Sequence, residues 1–412
     1  MRQIKYFLFE TWVLTIAVFM YVYAAAVTAY EETPQIHITE IIPPAIAQSV
    51  SHRVEDARLT GNYIEFRVES DVGSFNIESL PLLITRVREI SILNQARNQM
   101  SRQWERPADY SRGKYQVSAD SALDILARPM STASNMADQV RKNLENTQDS
   151  PGEKYTGFNT SDMESEDPVI AMHKRNIASQ WGLDVYSSNP DVQIFLSDAA
   201  MARSAGKIAT GAPVMTNRNA MPLKIVNKDL EYEIRTLIKN NSLSDLDDIN
   251  NKLLSGMNLN LLLVSEFLQH RIYSPRHKTV ITQYLMLLTN VANRMAFLEL
   301  AVKADSEKSA LGFEIACKML VYYHENIKSL QKLYSGNGVL QAIAMDNSMV
   351  FFSTADIIYW SRNTEETYDR LIQQAESAGF GDKELITTGE ITDEAYTRLT
   401  EKGLVLKKKI IF

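Results

Sequence analysis

Cysteine is almost missing from this chain: Cys317 is the single one in 412 residues. An intramolecular disulfide is thereby excluded, as are zinc sites built on two or four thiolates. Cys317 falls inside a helical apolar pattern and reads as an inert buried thiol. Dense basic runs are missing too. The formal net charge is −7, and no Lys/Arg-rich face stands out, which argues against nucleic acid as a partner. The one small basic cluster, Lys407-Lys408-Lys409, lies between apolar residues and reads as an edge strand guarded by lysines. Catalytic signatures are also lacking. Gly206-Lys207 has no upstream glycine of the kind a phosphate loop needs, and no H-E-x-x-H or other close histidine pair occurs. There is no G-x-S-x-G nucleophile elbow. No cofactor is expected. Beyond Ala29 no segment is long and apolar enough to cross a bilayer.

What is present is an ordinary globular composition, 45% hydrophobic and 23% charged, in a chain long enough for two or three domains. Arg2 and Lys5 precede an uncharged run, WVLTIAVFMYVYAAAVTA, over 12–29. Val27-Thr28-Ala29 fits the small-x-small requirement of a signal peptidase site. The expectation is a secretory signal over 1–29, with an uncleaved anchor as the competing reading, because about 18 apolar residues just span a bilayer. Either way the chain is expected in the periplasm or cell envelope.

Four further regions follow. Residues 30–145 read as a small β module with amphipathic helices. Apolar and charged residues alternate from Tyr63 to Glu69, and Asp71-Val72-Gly73 offers a turn before Ser74-Phe75-Asn76-Ile77, so a hairpin is expected. Pro43-Pro44 marks a loop, and a helix over 81–104 carries Leu83, Val87, Ile90 and Leu93 or Asn94 on one stripe. A second helix over 119–144 has a narrow stripe of small residues, suited to a membrane surface, a partner helix or its own domain. The aperiodic stretch 146–167 is a linker. Residues 168–335 read as an antiparallel helical bundle, with helices over 168–182, from Asn189-Pro190 onward, 227–240, 244–254, 259–270, 275–298 and from Ser306 to Ile327. Residues 336–412 read as an α+β cap: a hairpin at Asp346-Asn347-Ser348, then a β-α-β element. The expected class is mainly α with small β elements. The many Asp and Glu residues fall on faces expected to be solvated.

The most distinctive local motif runs from Tyr273 to Thr279. Ser274 caps and Pro275 starts a helix, and Arg276 or His277 can bond carbonyls that end the preceding helix. A functional version would use Arg271, Tyr273, Arg276, His277 and Lys278 near that N-terminus to hold an anion such as a lipid phosphate or a carboxylate. His270 and His277 flank the loop, and His324 would join them in a metal site if its helix folds back, although the neighbouring arginines would repel a cation.

Three segments carry a resemblance: WGLDVYSSNPDVQ at 181–193, FLQHRIYSPRHKT at 267–279, and the ending with Thr388-Gly389 and Gly403-Leu404-Val405. In these short patches the chain resembles an uncharacterised group of exported, helix-rich bacterial proteins of the Gram-negative type. The resemblance implies export into such an envelope and, since no activity is assigned to the group, no mechanism. The leading expectation is a non-enzymatic binding or scaffold module whose partner is an envelope protein or membrane-surface lipid. The alternative is a periplasmic hydrolase using His270, His277 or His324. A third reading is a homo-oligomer assembled through the small-residue helix at 192–213.

Overall fold

The computed structural model describes residues 30–71, 73–105, 166–204 and 227–408. The apolar N-terminal segment, the helix expected at 119–144, nearly all of the linker and residues 205–213 lie outside the described residues. The fold is mainly helical α+β.

The N-terminal module comprises α1 (Ile38–Ile41), α2 (Pro44–Ala47), β1 (His52–Thr60), β2 (Tyr63–Ser70), β3 (Gly73–Ile77) and the long α3 (Leu80–Glu105). Pro44, expected in a loop, instead opens α2 at a position where its missing N–H costs nothing. The expected hairpin is β2–β3, and β1 adds a third antiparallel strand on the other side of β2. Ile64, Phe66 and Val68 of β2 bury against Leu83 and Val87 of α3, and Ile357 of the C-terminal region joins the same apolar cluster.

The centre is helical: α4 (Pro168–Trp181), α5 (Pro190–Ser204), α6 (Lys228–Asn240), α7 (Leu243–Ser255), α8 (Leu261–Gln269), α9 (Pro275–Leu287), α10 (Met295–Ala301) and α11 (Glu307–Asn326). Asp167, Asn227, Ser242, Asn260, Ser274 and Ser306 cap the starts of α4, α6, α7, α8, α9 and α11 with their side chains. The helix expected over 275–298 breaks after Leu287. Its backbone is needed elsewhere: the Ala292 amide donates to Gln331 at 2.8 Å and the Ala292 carbonyl accepts from Leu333 at 3.0 Å. The chain then reverses. Arg294 reaches the Leu285 carbonyl at 3.2 Å and Tyr273 reaches the Ala301 carbonyl at 2.7 Å, so α10 runs back along α9. Arg276 with Glu314, and Tyr284 with Lys318, advance together, so α11 resumes the direction of α9.

The C-terminal cap contains β4 (Leu330–Tyr334), β5 (Leu340–Ala344), β6 (Met349–Ser353), β7 (Ile357–Ile358), α12 (Arg362–Ser377), β8 (Lys383–Thr387), β9 (Glu390–Ile391), α13 (Asp393–Glu401) and β10 (Leu404–Lys407). The sheet order is β10-β8-β6-β5-β4, antiparallel on the β4 side and parallel among β6, β8 and β10. The turn at Gly336–Gly338 joins β4 to β5, and β4 begins ahead of the expected boundary at 336. β10 is the sheet's edge, as expected.

Module and cap meet at Asp356. Its Oδ2 accepts the amide of Ile64 at 2.9 Å and that of Leu80 at 3.0 Å. Its amide donates to the Asn62 carbonyl, and its own carbonyl accepts from Glu390, both at 2.9 Å. A Cβ at Gly389 would stand 2.1 Å from that carbonyl oxygen, so this close approach requires glycine. Burial pushes the Asp356 carboxyl up to about 7, against the two amides that favour its charge. Both amides converge on Oδ2, so a proton on Oδ1 costs neither bond.

Asp356→Ala leaves two buried amides without an acceptor and should lower the unfolding free energy by roughly 2–4 kcal/mol in urea melts near neutral pH. Asp356→Asn keeps an acceptor and never charges. The folded pKa lies above the ordinary 3.8, so the stabilising contribution is full below that pH and lost as pH rises through about 7. Relative to Asp356→Asn, the native chain should weaken between about pH 4 and 7 and level off above that; a flat difference would rule out a neutral buried carboxyl.

Candidate functional site

The start of α9 is fixed by a reciprocal cap. Ser274 Oγ accepts the His277 amide at 3.2 Å, while His277 Nδ1 accepts the Ser274 amide at 3.3 Å, so an imidazole fills the role usual for a carboxylate. A ring that accepts at Nδ1 carries its proton on Nε2, which points toward Glu314 at 3.7 Å. Tyr273, fully buried, and His270 spend their side chains on the end of α10, bonding the carbonyls of Ala301 at 2.7 Å and Val302 at 3.1 Å. The carbonyls so satisfied belong to α10 and not, as expected, to the preceding helix α8, and the donors are not Arg276 or His277.

Arg276 turns inward. Its Nη1 and Nη2 fork onto the two Glu314 oxygens at 2.7 and 3.0 Å. Lys318, one turn further along α11, lies 2.9 Å from Glu314 and 2.7 Å from Glu231 of α6. Tyr284 of α9 donates to the same Glu231 oxygen at 3.2 Å. At the rim Arg276 Nε stands 3.8 Å from Asp184, whose Oδ1 accepts the Tyr186 amide at 2.9 Å. Three helices thus share one ionic core, with Glu314 only 2% and Lys318 only 4% exposed.

The electrostatics follow from this packing. Burial opposes charge on Glu314, but Arg276 and Lys318 outweigh it and hold the carboxyl well below the usual range. Burial likewise opposes charge on Arg276 and Lys318, yet the carboxylates around them keep both above their ordinary values. His277 has no such compensation: burial lowers it to about 4, despite the pull of Glu314. Burial raises Asp184 to about 6 against Arg276.

Chemically this arrangement is closed. Glu314 has its acceptor sites filled by cations and is a poor base. His277 offers no unprotonated nitrogen to a substrate, since Nδ1 is committed to the cap. Of the other expected residues, Arg271 is exposed and Lys278 is buried, its burial opposed by the field of Asp247. His324 is elsewhere: its Nδ1 accepts the Leu330 amide at 2.9 Å, at the far end of α11. Among the described residues no three His, Cys, Asp or Glu side chains gather as a metal would require. Cys317 is buried, with burial raising its thiol and its S–H directed at the Ile281 carbonyl.

Glu314, Lys318, Glu231, Tyr284 and Asp184 were not expected here. Acidic residues were assigned to solvated faces, and Glu314, Glu89, Glu384 and Asp356 are all buried. A signal existed: Ala310, Glu314, Cys317 and Val321 form a stripe at spacings of four, three and four, and a charge inside such a stripe must face the core.

Glu314→Ala would strand Arg276 and Lys318 and should cost about 3–5 kcal/mol in chemical denaturation. His277, lowered to about 4 from an ordinary 6.5, contributes stability that is present above pH 6.5 and lost as pH falls toward 4. Its ring resonance should titrate near pH 4 by NMR; a midpoint at the ordinary value would mean an open imidazole.

Set against known proteins, the chain matches no family model, no curated protein and no solved structure.

Proposed function

We propose that this chain is an exported, non-enzymatic binding or scaffold module of the cell envelope, acting through surface contacts with a partner protein. The observation that carries this reading is the self-compensation of the most chemistry-rich site: Tyr273, Arg276, His277, Glu314 and Lys318 are spent on one another or on backbone groups. The hydrolase alternative needs an available histidine, and His270, His277 and His324 each hold a backbone group instead. Envelope placement rests on the apolar run at 12–29 and on the resemblance of the segments at 181–193 and 267–279 to exported bacterial proteins. Contact with a partner is supported by Leu261 and Leu262, adjacent side chains 66% and 81% exposed at the start of α8. No Lys or Arg lies between Leu253 and Gln269, so that corner lacks the cations an anionic lipid surface would favour.

The test is fractionation of the expressed full chain at low and high salt, followed by cross-linking. It should be recovered with the envelope fraction in a cross-linked complex that Leu262→Ser depletes. A freely dispersed monomer, unaffected by that substitution, would sink the reading.

A further inference from the structure

We propose that Arg88, Arg235 and Arg276 form a binding site for a phosphate-class oxyanion at the mouth of the ionic core. Two of the guanidinium groups reach the turn at Gly182–Asp184, and the third stands on a helix that packs against α4 and α9. Arg276 of α9 has one edge forked onto Glu314, while its Nε edge faces outward beside Asp184; these two side chains remain 27% and 23% exposed. Arg88 of α3 donates from Nη2 to the Gly182 carbonyl at 3.3 Å, two residues before Asp184, and so reaches the same turn. Gly182 is in the left-handed region at φ 68°. Arg235 stands on α6, which packs against both α4 and α9. It lies one turn beyond Glu231, whose carboxylate is 2.7 Å from Lys318, and residues four apart share a helix face.

Like charges gathered in this way raise the energy of the fold unless something answers them. The nearby carboxylates are already committed. Glu314 holds Arg276 and Lys318, and Glu89 holds Arg86, Ser187 and Asn189. Asp184 is drawn toward Arg276 and the Tyr186 amide. Arg88 and Arg235 are exposed, and neither forms an ion pair among the described residues. Although part of the Arg88 side chain is exposed, the protein around its guanidinium desolvates it, and with the like charges of Arg276 and Arg235 this pulls it below the ordinary arginine range. Planar guanidinium groups fork onto tetrahedral oxyanions with two hydrogen bonds each, and a doubly charged oxyanion would answer this cluster. With a net charge of −7 the chain as a whole repels anions, so any such binding is local.

The inference goes beyond the scaffold reading and does not rest on it. Titration calorimetry of the full chain with inorganic phosphate at low ionic strength should give saturable binding. Arg88→Gln and Arg235→Gln should each weaken it by about 10-fold, the scale of one charge-assisted hydrogen bond. Arg271→Gln, exposed and outside the cluster, should leave it unchanged. Both glutamine variants replace exposed side chains, so unaltered melting curves will separate lost binding from lost folding, and Arg88→Lys should bind between the two. Sedimentation with phosphatidylcholine vesicles, with and without phosphatidylglycerol, identifies the source of the anion. Recruitment that needs phosphatidylglycerol and both arginines means a lipid headgroup, whereas phosphate binding without recruitment means a small phosphate ligand. An absence of saturable phosphate binding and of recruitment overturns the site, as does binding that survives in the Arg88→Gln/Arg235→Gln chain. Neither result bears on envelope fractionation, which tests the scaffold reading separately.

Discussion

A carboxylate withdrawn from water inside a helical bundle must be met by cations held in place, and Glu314 is met by two. Arg276 grips both of its oxygens from the start of α9, and Lys318 leans on it from the next turn of its own helix. The cost of desolvating such a pair can exceed its Coulombic gain, so the arrangement is better understood as specifying the packing than as adding stability. It admits one register. If α11 slid by a turn against α9, Arg276 would lose its fork and Lys318 would lose Glu231 together. The reversal through α10 lets α9 and α11 run in the same sense and bring these groups level.

The second constraint ties distant parts of the chain. Asp356 accepts amides from β2 and α3, so the N-terminal module is seated on the cap through one carboxyl. At the other end of the cap's short parallel pair, Glu31 accepts from the amide of Trp360 and from Thr392 Oγ1, 361 residues away. Asp356 lies just before β7, and Glu31 joins the residues that follow β7 and β9. Ile357 of the cap joins the apolar cluster that Val54, Ile64, Phe66, Val68, Leu83 and Val87 form within the module.

Much of this was legible before the coordinates, and the reason is local. The starts of α6, α7, α9 and α11 each follow a residue whose side chain caps the first turn, and that chemistry is written in a few neighbouring positions. The stripe of Leu83, Val87, Ile90 and Leu93 is likewise a matter of spacing, and all four are buried. What was not legible depends on remote partners. The break after Leu287 is made by Ala292 bonding to Gln331 and Leu333, a choice that cannot be seen from the helix's own residues. The strand β4 was hidden at the end of the helical region because its pairing with β5 only appears once the turn at Gly336–Gly338 closes. The burial of Glu314 depends on Arg276, 38 residues earlier. The Tyr273–Thr279 motif reads as a helix corner, with Arg276 or His277 on carbonyls of the preceding helix or, in the functional version, on an outside anion; the anion that Arg276 meets is internal.

That internal anion also accounts for the character of the surface around it. Arg276 reaches Glu314 from the first turn of α9, whose neighbours Tyr273, Ser274, His277 and Lys278 are buried. Arg276 itself keeps 27% of its side chain exposed, with Nε 3.8 Å from Asp184. The ionic core therefore has a mouth, and the mouth is cationic because the carboxylates paired with it lie deeper. Asp184, the one acid at the rim, is raised by burial to about 6 and is charged at neutral pH mainly through Arg276. Arg88 and Arg235 add to this rim from α3 and α6 without carboxylates of their own. A fold that neutralises Glu314 from its surface side concentrates positive charge there as a consequence, and selection for binding at that place would need only to keep what packing had already assembled.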